Sequence, residues 1–454
     1  MVAHEDARRR LVAQYDAIPA GSPVRLAKRT SNLFRPRDRT ATPGLDVSGL
    51  DTVLSVDPVT RTADVQAMTT YEHLVDATLA HGLMPTVVPQ LKTITIGGAV
   101  TGLGIESSSF RAGLPHESVR ELEVLTGAGE VVVARPDGPD ADLFRTFPNS
   151  YGTLGYALRL VIELEPVHPF VRLRHVRFSD LDELTAAIAA VIADRSYEGE
   201  AVDFLDGTVF TADEAYLTLG SWADEAPYTS DYTGLQIYYR SIQQRRVDYL
   251  TVRDYLWRWD TDWFWCSRAF GAQNPRIRRL WPKRWLRSDV YWKLIRLENR
   301  FHVAARLESR KGLPPRERVV QDVEIPLGRT AEFLRWFLRE VPIEPIWLCP
   351  LRLRTDAEAT PWPLYPLRPG ETYVNVGFWS TVAIVGGRQD GDVNRLIEAE
   401  VADLGGHKSL YSDAYYGEDE FWDLYGGEDY HAVKKRYDPQ SRLLDLYAKA
   451  VHRR

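Results

Sequence analysis

The feature that most constrains this 454-residue chain is a cluster of four glycines within eight positions: Gly97, Gly98, Gly102 and Gly104. A run of strand-forming character, Thr93–Ile96, precedes the cluster, and three serines follow it at 107–109. Glycine lets backbone N–H groups approach an anion without interference from a Cβ atom, and serine hydroxyls add further donors. The segment therefore predicts a loop that binds an anionic cofactor, with a tight structural turn as the alternative.

Neither common phosphate-binding fingerprint accounts for this cluster. After Gly104 the chain continues with Glu106 and Ser107, so the third glycine of a G-x-G-x-x-G pattern is missing and no helix is expected to open there. The G-x-x-x-x-G-K-[ST] pattern is missing as well. A second glycine segment, Gly152–Gly155, runs into the apolar stretch Leu158–Leu164. The two segments together predict a cofactor site more strongly than either alone.

Charge and cysteine content exclude several classes of protein. The 56 basic and 63 acidic residues give a net charge of −7, and no segment resembles an arginine-rich arm, so nucleic acid is not an expected partner. Cys266 and Cys349 have neither metal-ligand spacing nor a disulfide framework, so we expect no metal site and a reducing compartment. With no signal peptide and no apolar stretch of about 18 residues, we expect a cytoplasmic protein that at most contacts the inner face of a membrane.

Secondary-structure signals divide the chain into two α+β parts. Residues 1–168 alternate strand-like runs with glycine-bearing turns, and a helix is expected over Tyr71–Leu79. In residues 169–454 a strand–helix–strand–strand order occurs twice, and two such units predict one mainly antiparallel sheet with helices on one face. The strands expected in the first part are Val24–Lys28, Thr52–Val56, Thr62–Gln66, Thr93–Ile96, Glu121–Leu125, Val131–Ala134 and Leu158–Glu165.

A segment between the two repeated units, about residues 238–313, differs in composition from the rest. Seven of the 13 tryptophans lie between Trp257 and Trp292, and residues 276–287 carry six basic and no acidic side chains. One interpretation is a helical insertion whose tryptophans fill core while the arginines face water. The other is a surface that faces a membrane, because tryptophan combined with lysine and arginine is typical of interfacial helices.

With the Glu121–Ala134 hairpin between them, the two glycine segments resemble the FAD-binding domain of the vanillyl-alcohol-oxidase superfamily, the PCMH type. The resemblance implies an FAD-binding domain over 1–168 and a substrate-binding cap domain over 169–454. Covalent members attach the flavin to a histidine in this region, and since none lies between His4 and His73, we expect non-covalent FAD. The FAD-contacting positions that it implies are Thr30, Ser31, Asn32, Thr95, Gly97, Gly98, Thr101, Gly102, Gly104, Ile105, Glu106, Ser107, Gly152, Thr153, Leu154, Gly155 and Ile162.

Five further motifs occur along the chain: Val320-Gln321-Asp322, Pro345–Pro350, Leu410-Tyr411-x-Asp413-x-Tyr415, Glu420-Phe421-Trp422 and Tyr430-His431. With these motifs the resemblance extends along the chain, to the Δ24-sterol reductases and the bacterial methylene-fatty-acyl reductases. The resemblance implies reduction of an unactivated C=C bond by a flavin that NADPH or NADH has reduced. Such an alkene has no carbonyl to polarise, so one carbon must be protonated as hydride reaches the other, which requires a strong acid in a dry site.

Six side chains are candidates for the catalytic acid. Five lie in these motifs, namely Asp322, Tyr411, Asp413, Tyr415 and His431, and the sixth, Glu106, lies near the first glycine segment. Each has a structural alternative. Asp322 could cap a strand end, the tyrosines could belong to the core, and His431 could lie on the surface. The sequence alone does not choose among them.

Composition bears on the substrate. The chain is rich in arginine, alanine and aspartate and poor in lysine, which is typical of high-GC bacterial genomes, where sterol synthesis is uncommon. The sterol enzymes also carry an N-terminal membrane-spanning segment, which this sequence is not expected to have. We therefore expect reduction of a 10-methylene fatty acyl chain to 10-methyl, in methyl-branched fatty acid synthesis. A Δ24-sterol side chain, or oxygen-dependent oxidation of an alcohol or phenol, is the alternative.

Overall fold

Two antiparallel sheets organise the structure. The computed structural model describes residues 2–28, 34, 44–301, 312–354 and 362–452. One sheet has six strands and is built from residues 53–166, and the other has eight strands and is built from residues 170–408. Helices pack on both, so the predicted α+β class is confirmed.

The first sheet is built around one long central strand. Its strand order is β3-β4-β8-β6-β7, with β5 also paired to β8, and β1 and β2 form a separate parallel pair. The strands are β1 Leu26–Ala27, β2 Leu45–Asp46, β3 Val53–Asp57, β4 Thr62–Gln66, β5 Leu83–Pro85, β6 Val119–Leu125, β7 Val131–Ala134 and β8 Tyr156–Pro166. The helices of this part are α1 Val2–Asp16, α2 Tyr71–Leu79, α3 Ile96–Thr101, α4 Ser109–Ala112 and α5 Ala141–Thr146.

The second sheet has the order β14-β9-β13-β12-β16-β17-β15-β18, and every pairing in it is antiparallel. The strands of this part are β9 Phe170–Phe178, β10 Ser196–Tyr197, β11 Glu200–Ala201, β12 Phe204–Thr211, β13 Glu214–Ala223, β14 Val247–Thr251, β15 Arg316–Pro326, β16 Ile346–Arg352, β17 Thr372–Ala383 and β18 His407–Lys408. Its helices are α6 Leu181–Asp194, α7 Tyr238–Ser241, α8 Val252–Leu256, α9 Pro275–Leu280, α10 Ser288–Phe301, α11 Leu327–Glu340, α12 Asp392–Asp403, α13 Glu418–Leu424, α14 Gly427–Tyr437 and α15 Leu446–Ala450.

The two faces of the second sheet have different roles. Because side chains alternate along a strand, Val323 and Ile325 of β15 point into a core with the apolar faces of α6, α11 and α12. Asp322, the residue directly before Val323, points to the opposite face, where it lines a cavity. The repeated strand–helix–strand–strand units therefore form the predicted sheet with helices on one face, and its other face is left for the site.

Two local predictions are wrong. The β-branched run Thr93–Ile96 is not a strand, because the Thr95 side chain accepts a hydrogen bond from the Gly98 N–H at 3.1 Å and caps a helix that begins at Ile96. The segment 238–313 is not purely helical. It contains β14, whose pairing with β9 completes the edge of the second sheet.

Candidate functional site

A cavity of about 590 Å³ is lined by residues of both parts of the chain. From the first part, both glycine segments line it, and from the second part come β15, β16, β17 and a loop after α8. The predicted FAD-contacting residues among the lining are Thr95, Gly97, Gly98, Thr101, Gly102, Gly104, Ile105, Gly152 and Gly155. The structure therefore gathers the two glycine segments on one wall of one cavity.

The first glycine segment is compact because its neighbours leave no room for side chains. A Cβ atom at Gly97 would lie 2.8 Å from both the Cβ and the carbonyl oxygen of Ala67. One at Gly104 would lie 2.8 Å from Cγ of Pro89. Gly97 and Gly104 thus let the backbone of α3 and of the loop after it lie close against Ala67 and Pro89, while the segment also lines the cavity.

Within and just before the second glycine segment, four residues have positive φ values: 61° (Asn149), 52° (Tyr151), 77° (Gly152) and 147° (Gly155). Such conformations are costly for residues other than glycine, and they persist where surrounding contacts fix them. Here the Tyr151 N–H donates to the Thr101 carbonyl at 2.6 Å. The two glycine segments are thus bonded directly to each other.

Contacts from the far end of the chain also fix this second segment. Lys434 of α14 donates to the Thr153 carbonyl at 2.7 Å, and Lys449 of α15 donates to the Tyr151 carbonyl at 2.6 Å. The Leu410 N–H donates to the Tyr151 hydroxyl at 3.0 Å. The C-terminal helices therefore complete a site whose glycines lie some 300 residues earlier.

Basic side chains line the cavity beside the glycine segments. They are Arg25, Lys28 and Lys449, whereas Asp322 is the only acidic residue among the described residues of the lining. The Lys28 ammonium lies 3.5 Å from the Thr95 hydroxyl, at the N-terminal end of α3. Positive charge beside closely approached backbone is what a diphosphate requires.

Aromatic rings line the cavity around Asp322. Phe264 stacks on Trp379 with ring centroids 4.3 Å apart, and Trp347 lies 5.3 Å from Phe264. Phe34 and Trp263, 5.5 Å apart, add a second stacked pair. Trp263 and Phe264 have φ values of 46° and 59°, so two successive large residues adopt the left-handed conformation at the cavity wall. Strained backbone of this kind concentrates at functional sites.

Asp322 and Tyr411, two of the six candidate acids, meet at this wall. Burial raises the pKa of Asp322 to about 7, although hydrogen bonds with Asn375 and Tyr411 lower it. Burial also raises the pKa of Tyr411 well above its usual range, and the neighbouring Asp322 raises it further. The Trp379 indole N–H donates to the Tyr411 hydroxyl at 3.0 Å, which fixes the ring. A carboxyl group that is part protonated at neutral pH therefore faces an aromatic cavity.

The β15 strand positions Asp322 through a glycine on its neighbour. Asp322 pairs with Gly377 of β17, and a Cβ atom at Gly377 would lie 2.5 Å from the Asp322 Oδ1 atom. The Asn375 amide, two residues away on the same strand, donates to that oxygen at 3.4 Å. Gly377 and Asn375 thus give the carboxyl group room and a partner.

Glu106 lies outside the cavity lining, in a buried ion cluster. Arg258 Nη2 contacts Glu106 Oε1 at 3.0 Å and Asp206 Oδ2 at 2.8 Å, and the Arg258 side chain is fully buried. Burial raises the pKa of Glu106, while Arg258 lowers it. Ser107 shares the cluster, because its hydroxyl lies 2.6 Å from that of Tyr255. Glu106 and Ser107 thus join the two sheets.

The other candidate acids lie apart from the cavity lining. The Asp413 carbonyl accepts from Lys408, and the Tyr415 N–H donates at 3.2 Å to Glu398, which pairs with the same lysine. His431 is exposed on α14 and lies against Trp422 with ring centroids 4.5 Å apart. Of the six candidates, the structure thus brings Asp322 and Tyr411 to the cavity.

Several predicted FAD-contacting residues lie behind the cavity or outside the described residues. Thr153, Leu154 and Ile162 are fully buried, the last in the middle of β8. Thr30, Ser31 and Asn32 fall outside the residues that the structure describes. Within the described ranges, no group of three or more histidine, cysteine, aspartate or glutamate side chains could hold a metal ion.

Sequence reasoning missed most of the second-part lining. Trp263, Phe264, Trp347, Trp379 and Lys449 come from four distant segments. The tryptophan-rich segment was a weak sign of the first two, and Trp347 lies within the motif Pro345–Pro350. No local pattern marks Lys449, because its role depends on the return of the C-terminal helices to the first sheet.

The residues present fit a flavin dinucleotide. The glycine segments and the three basic side chains suit a diphosphate, and the aromatic wall suits a flat ring. A cavity of about 590 Å³ lies within the range of sites that hold large cofactors. Among the helices of the described ranges, none combines the length and the apolar run that crossing a bilayer requires.

Comparisons with known proteins agree with this reading of the site. Residues 16–135 match a family model described as an FAD binding domain. The chain is 26% identical to the Delta(24)-sterol reductase of Homo sapiens over 87% of its own length and 75% of that protein's. It is 25% identical to the Arabidopsis thaliana Delta(24)-sterol reductase, over 89% of this chain and 76% of that one.

A further similarity is confined to part of the chain. Over 27% of its length, it is 38% identical to a decaprenylphosphoryl-beta-D-ribose oxidase of Mycolicibacterium smegmatis, covering 26% of that protein. The shared part is short, whereas the similarity to the sterol reductases runs through both sheets. This chain is an FAD-dependent oxidoreductase that resembles the Delta(24)-sterol reductases.

Proposed function

We propose that this chain reduces an isolated C=C bond of a lipid, with NADPH or NADH as the source of electrons. The observation that carries the proposal is the Asp322 carboxyl group, which faces an aromatic cavity with a pKa of about 7. An acid that is about half protonated at neutral pH and shielded from water suits protonation of an alkene.

The chain's own residues would divide the work as follows. The glycine segments, Lys28 and Lys449 would hold the FAD diphosphate, and the aromatic residues around Asp322 would exclude water from the reacting carbons. Reduced FAD, when bound, supplies hydride from N5 of its ring. Asp322 would give its proton to one alkene carbon, and Tyr411 would hold that carboxyl group in place.

Asn375 and Tyr411 would stabilise the carboxylate that remains after Asp322 has donated its proton. Once Asp322 has lost its proton, its charge lies in a buried site, which is unfavourable without hydrogen bonds. The Asn375 amide and the Tyr411 hydroxyl supply such bonds, and both lower the carboxyl pKa. They would limit the cost of the charged form, while burial keeps the pKa high enough for Asp322 to carry a proton at neutral pH.

For the substrate we propose a methylene-bearing fatty acyl chain, reduced from 10-methylene to 10-methyl. The mostly aromatic lining around Asp322 suits an apolar chain and offers little to a polar one. A Δ24-sterol side chain is the second candidate, and the similarity to the Delta(24)-sterol reductases over both sheets favours it.

The test uses both substrates. The purified FAD-loaded enzyme is incubated without oxygen with NADPH or NADH and either a 10-methylene acyl phospholipid or a Δ24 sterol, and mass spectrometry follows the gain of two hydrogen atoms. We expect the acyl chain to gain them. Reduction of the sterol alone would mean that the substrate is a sterol and not the acyl chain. In a separate experiment in air, rapid reoxidation of the reduced flavin with release of peroxide would contradict the reductase proposal.

A further inference from the structure

A group of exposed apolar side chains lies in the tryptophan-rich segment and just before it, away from the reacting groups. Five of the twelve most exposed large apolar side chains in the described residues fall between residues 228 and 285. Among them Leu280 is 84% exposed, Leu235 53%, Trp285 48% and Ile277 43%. We call residues 274–285 together with Leu235 the basic–apolar patch.

The patch is strongly positive. Arg276, Arg279, Lys283 and Arg284 are exposed within it, and residues 274–285 contain no acidic residue. Lys283 contacts Asp231 at 3.2 Å, where both side chains are exposed and water weakens the pair. The patch therefore presents net positive charge and apolar side chains over a short distance, in a chain whose net charge is −7.

Buried contacts hold the patch rigidly. Arg278, the one buried arginine of α9, contacts Asp262 at 2.6 Å and donates to the Gly234 carbonyl at 2.6 Å. The second contact places Leu235 beside α9. Apolar side chains that remain exposed on such a fixed framework are costly in water and usually mark a contact surface.

The residues that hold the patch in place also form one wall of the cavity. Asp262, which holds Arg278, directly precedes Trp263 of the cavity lining. Helix α10 follows the patch, and its Trp292 ring lies 5.2 Å from Trp263 and 4.8 Å from Phe34. Ser288 and Tyr291 of the same helix hydrogen-bond to residues 260 and 261. The patch and one wall of the cavity thus form a single piece of structure.

We infer that the basic–apolar patch docks the enzyme on an anionic lipid bilayer, next to the cavity that receives the lipid. Lysine and arginine interact with anionic headgroups while leucine, isoleucine and tryptophan enter the interface, which is the combination present here. The choice of a bilayer as the partner rests on the proposed lipid substrate. A second copy of this chain is the competing occupant, and the experiment distinguishes it.

Vesicle sedimentation of the full FAD-loaded chain tests the inference. Vesicles of phosphatidylcholine alone are compared with vesicles that also contain phosphatidylglycerol, without any substrate. We expect binding to the anionic vesicles and little to the neutral ones, with a marked loss at high salt because ions screen the charges. No binding by the unaltered chain, or equal binding to both kinds of vesicle, would overturn the inference.

Variants then locate the contact. Each basic residue near an anionic surface contributes about fivefold to binding, so R276Q/R279Q/R284Q should weaken vesicle binding about 100-fold. The matched control R339Q/R388Q/K435Q removes three exposed charges elsewhere and should weaken it far less. L280A/W285A should also reduce binding at least tenfold, whereas the exposed pair V385A/L396A should not. Equal losses for patch and control variants would contradict the assignment.

Two readouts separate the possible failures. Size measurement without vesicles shows whether the chain dimerises, and a dimer that L280A/W285A disrupts, without vesicle binding, would assign the patch to a second copy. Reduction of detergent-dissolved substrate does not need docking. If that reaction proceeds while vesicle binding fails, the docking inference is wrong and the proposed function stands. If the chain binds vesicles but reduces no lipid, the docking inference stands and the proposed function is wrong.

Discussion

At the scale of single residues, the structure separates six candidate acids that the sequence leaves equivalent. Asp322 and Tyr411 lie on the cavity wall, whereas Asp413 and Tyr415 lie beside a buried Glu398–Lys408 pair. Asp322 reaches the cavity because of the pleat of β15, since the next residue, Val323, points into the core instead. The sequence motif identified the segment that contains Asp322, and the alternation of side chains along β15 determines that Asp322 faces the cavity.

The first prediction concerns the chemistry of Asp322. D322N keeps the shape of the side chain and removes the proton that would be donated. We expect NADPH to reduce the bound flavin at the normal rate, while reoxidation of the flavin by the alkene slows by about 100-fold or more. Stopped-flow absorbance separates the two half-reactions. D413N is the matched control, since Asp413 is a motif acid outside the cavity lining, and equal slowing by both variants would contradict the assignment.

The second prediction concerns pH and stability. Because burial raises the pKa of Asp322 from about 3.9 to about 7, the folded chain binds more protons than the unfolded chain between these values. The stabilisation that protonated Asp322 provides is complete below about pH 4 and is lost as the pH rises through about 7. Relative to D322N, the unaltered chain should therefore lose roughly 4 kcal/mol of unfolding free energy across this window.

Urea unfolding of the FAD-free protein at several pH values measures this difference. Asparagine does not titrate, so D322N should be the more stable protein above pH 7. The exposed D137N variant serves as control, and its curve should run parallel to that of the unaltered chain. A constant difference between D322N and the unaltered chain at all pH values would contradict a raised pKa.

At the scale of elements, helices and strands were predicted correctly where apolar residues recur periodically, and wrongly where a side-chain cap starts a helix. The helix at Tyr71–Leu79 and the two repeated units were predicted from apolar spacing, and the structure has them. The strand expected at Thr93–Ile96 is wrong because one side-chain hydrogen bond from Thr95 begins α3 instead. Strand β14 was missed because its five residues join the sheet through a long-range pairing with β9.

The third prediction tests how α15 contributes to the cofactor site. K449M removes the hydrogen bond to the Tyr151 carbonyl and a positive charge from the cavity lining. Lys449 would also hold the FAD diphosphate, and a charged hydrogen bond of that kind is worth about 1.5–3 kcal/mol, so the dissociation constant for FAD should rise at least about tenfold. Titration of the FAD-free protein, followed by flavin fluorescence, measures it.

The control for this prediction is K435M, which removes an exposed lysine from the neighbouring helix α14. It should bind FAD as the unaltered chain does. The far-ultraviolet circular dichroism of both variants should match that of the unaltered chain. If K449M bound FAD normally, the C-terminal helices would support the second glycine segment without contributing to the affinity.

At the scale of the whole molecule, the two sheets are joined by charges that no sequence pattern revealed. Glu106 follows the first glycine segment, Asp206 lies on β12, and Arg258 comes from the loop after α8. These residues are separated by up to 152 positions, so nothing local marks them as partners. The glycine motif predicted Glu106 as a cofactor or catalytic residue, whereas its observed contacts are to Ser107 and Arg258.

The last prediction tests this junction. R258M leaves Glu106 and Asp206 buried without their cation, and such a loss costs about 3–5 kcal/mol of unfolding free energy. R253M breaks the exposed Arg253–Asp76 pair, 2.8 Å apart, and should cost at most about 1 kcal/mol. The triple variant R258M/E106Q/D206N removes all three charges and should recover much of the lost stability, because no unpaired buried charge remains. Thermal unfolding at fixed FAD concentration measures each variant, since bound FAD itself raises the midpoint. If R258M lost no more stability than R253M, the buried cluster of Glu106, Asp206 and Arg258 would not contribute to holding the two sheets together.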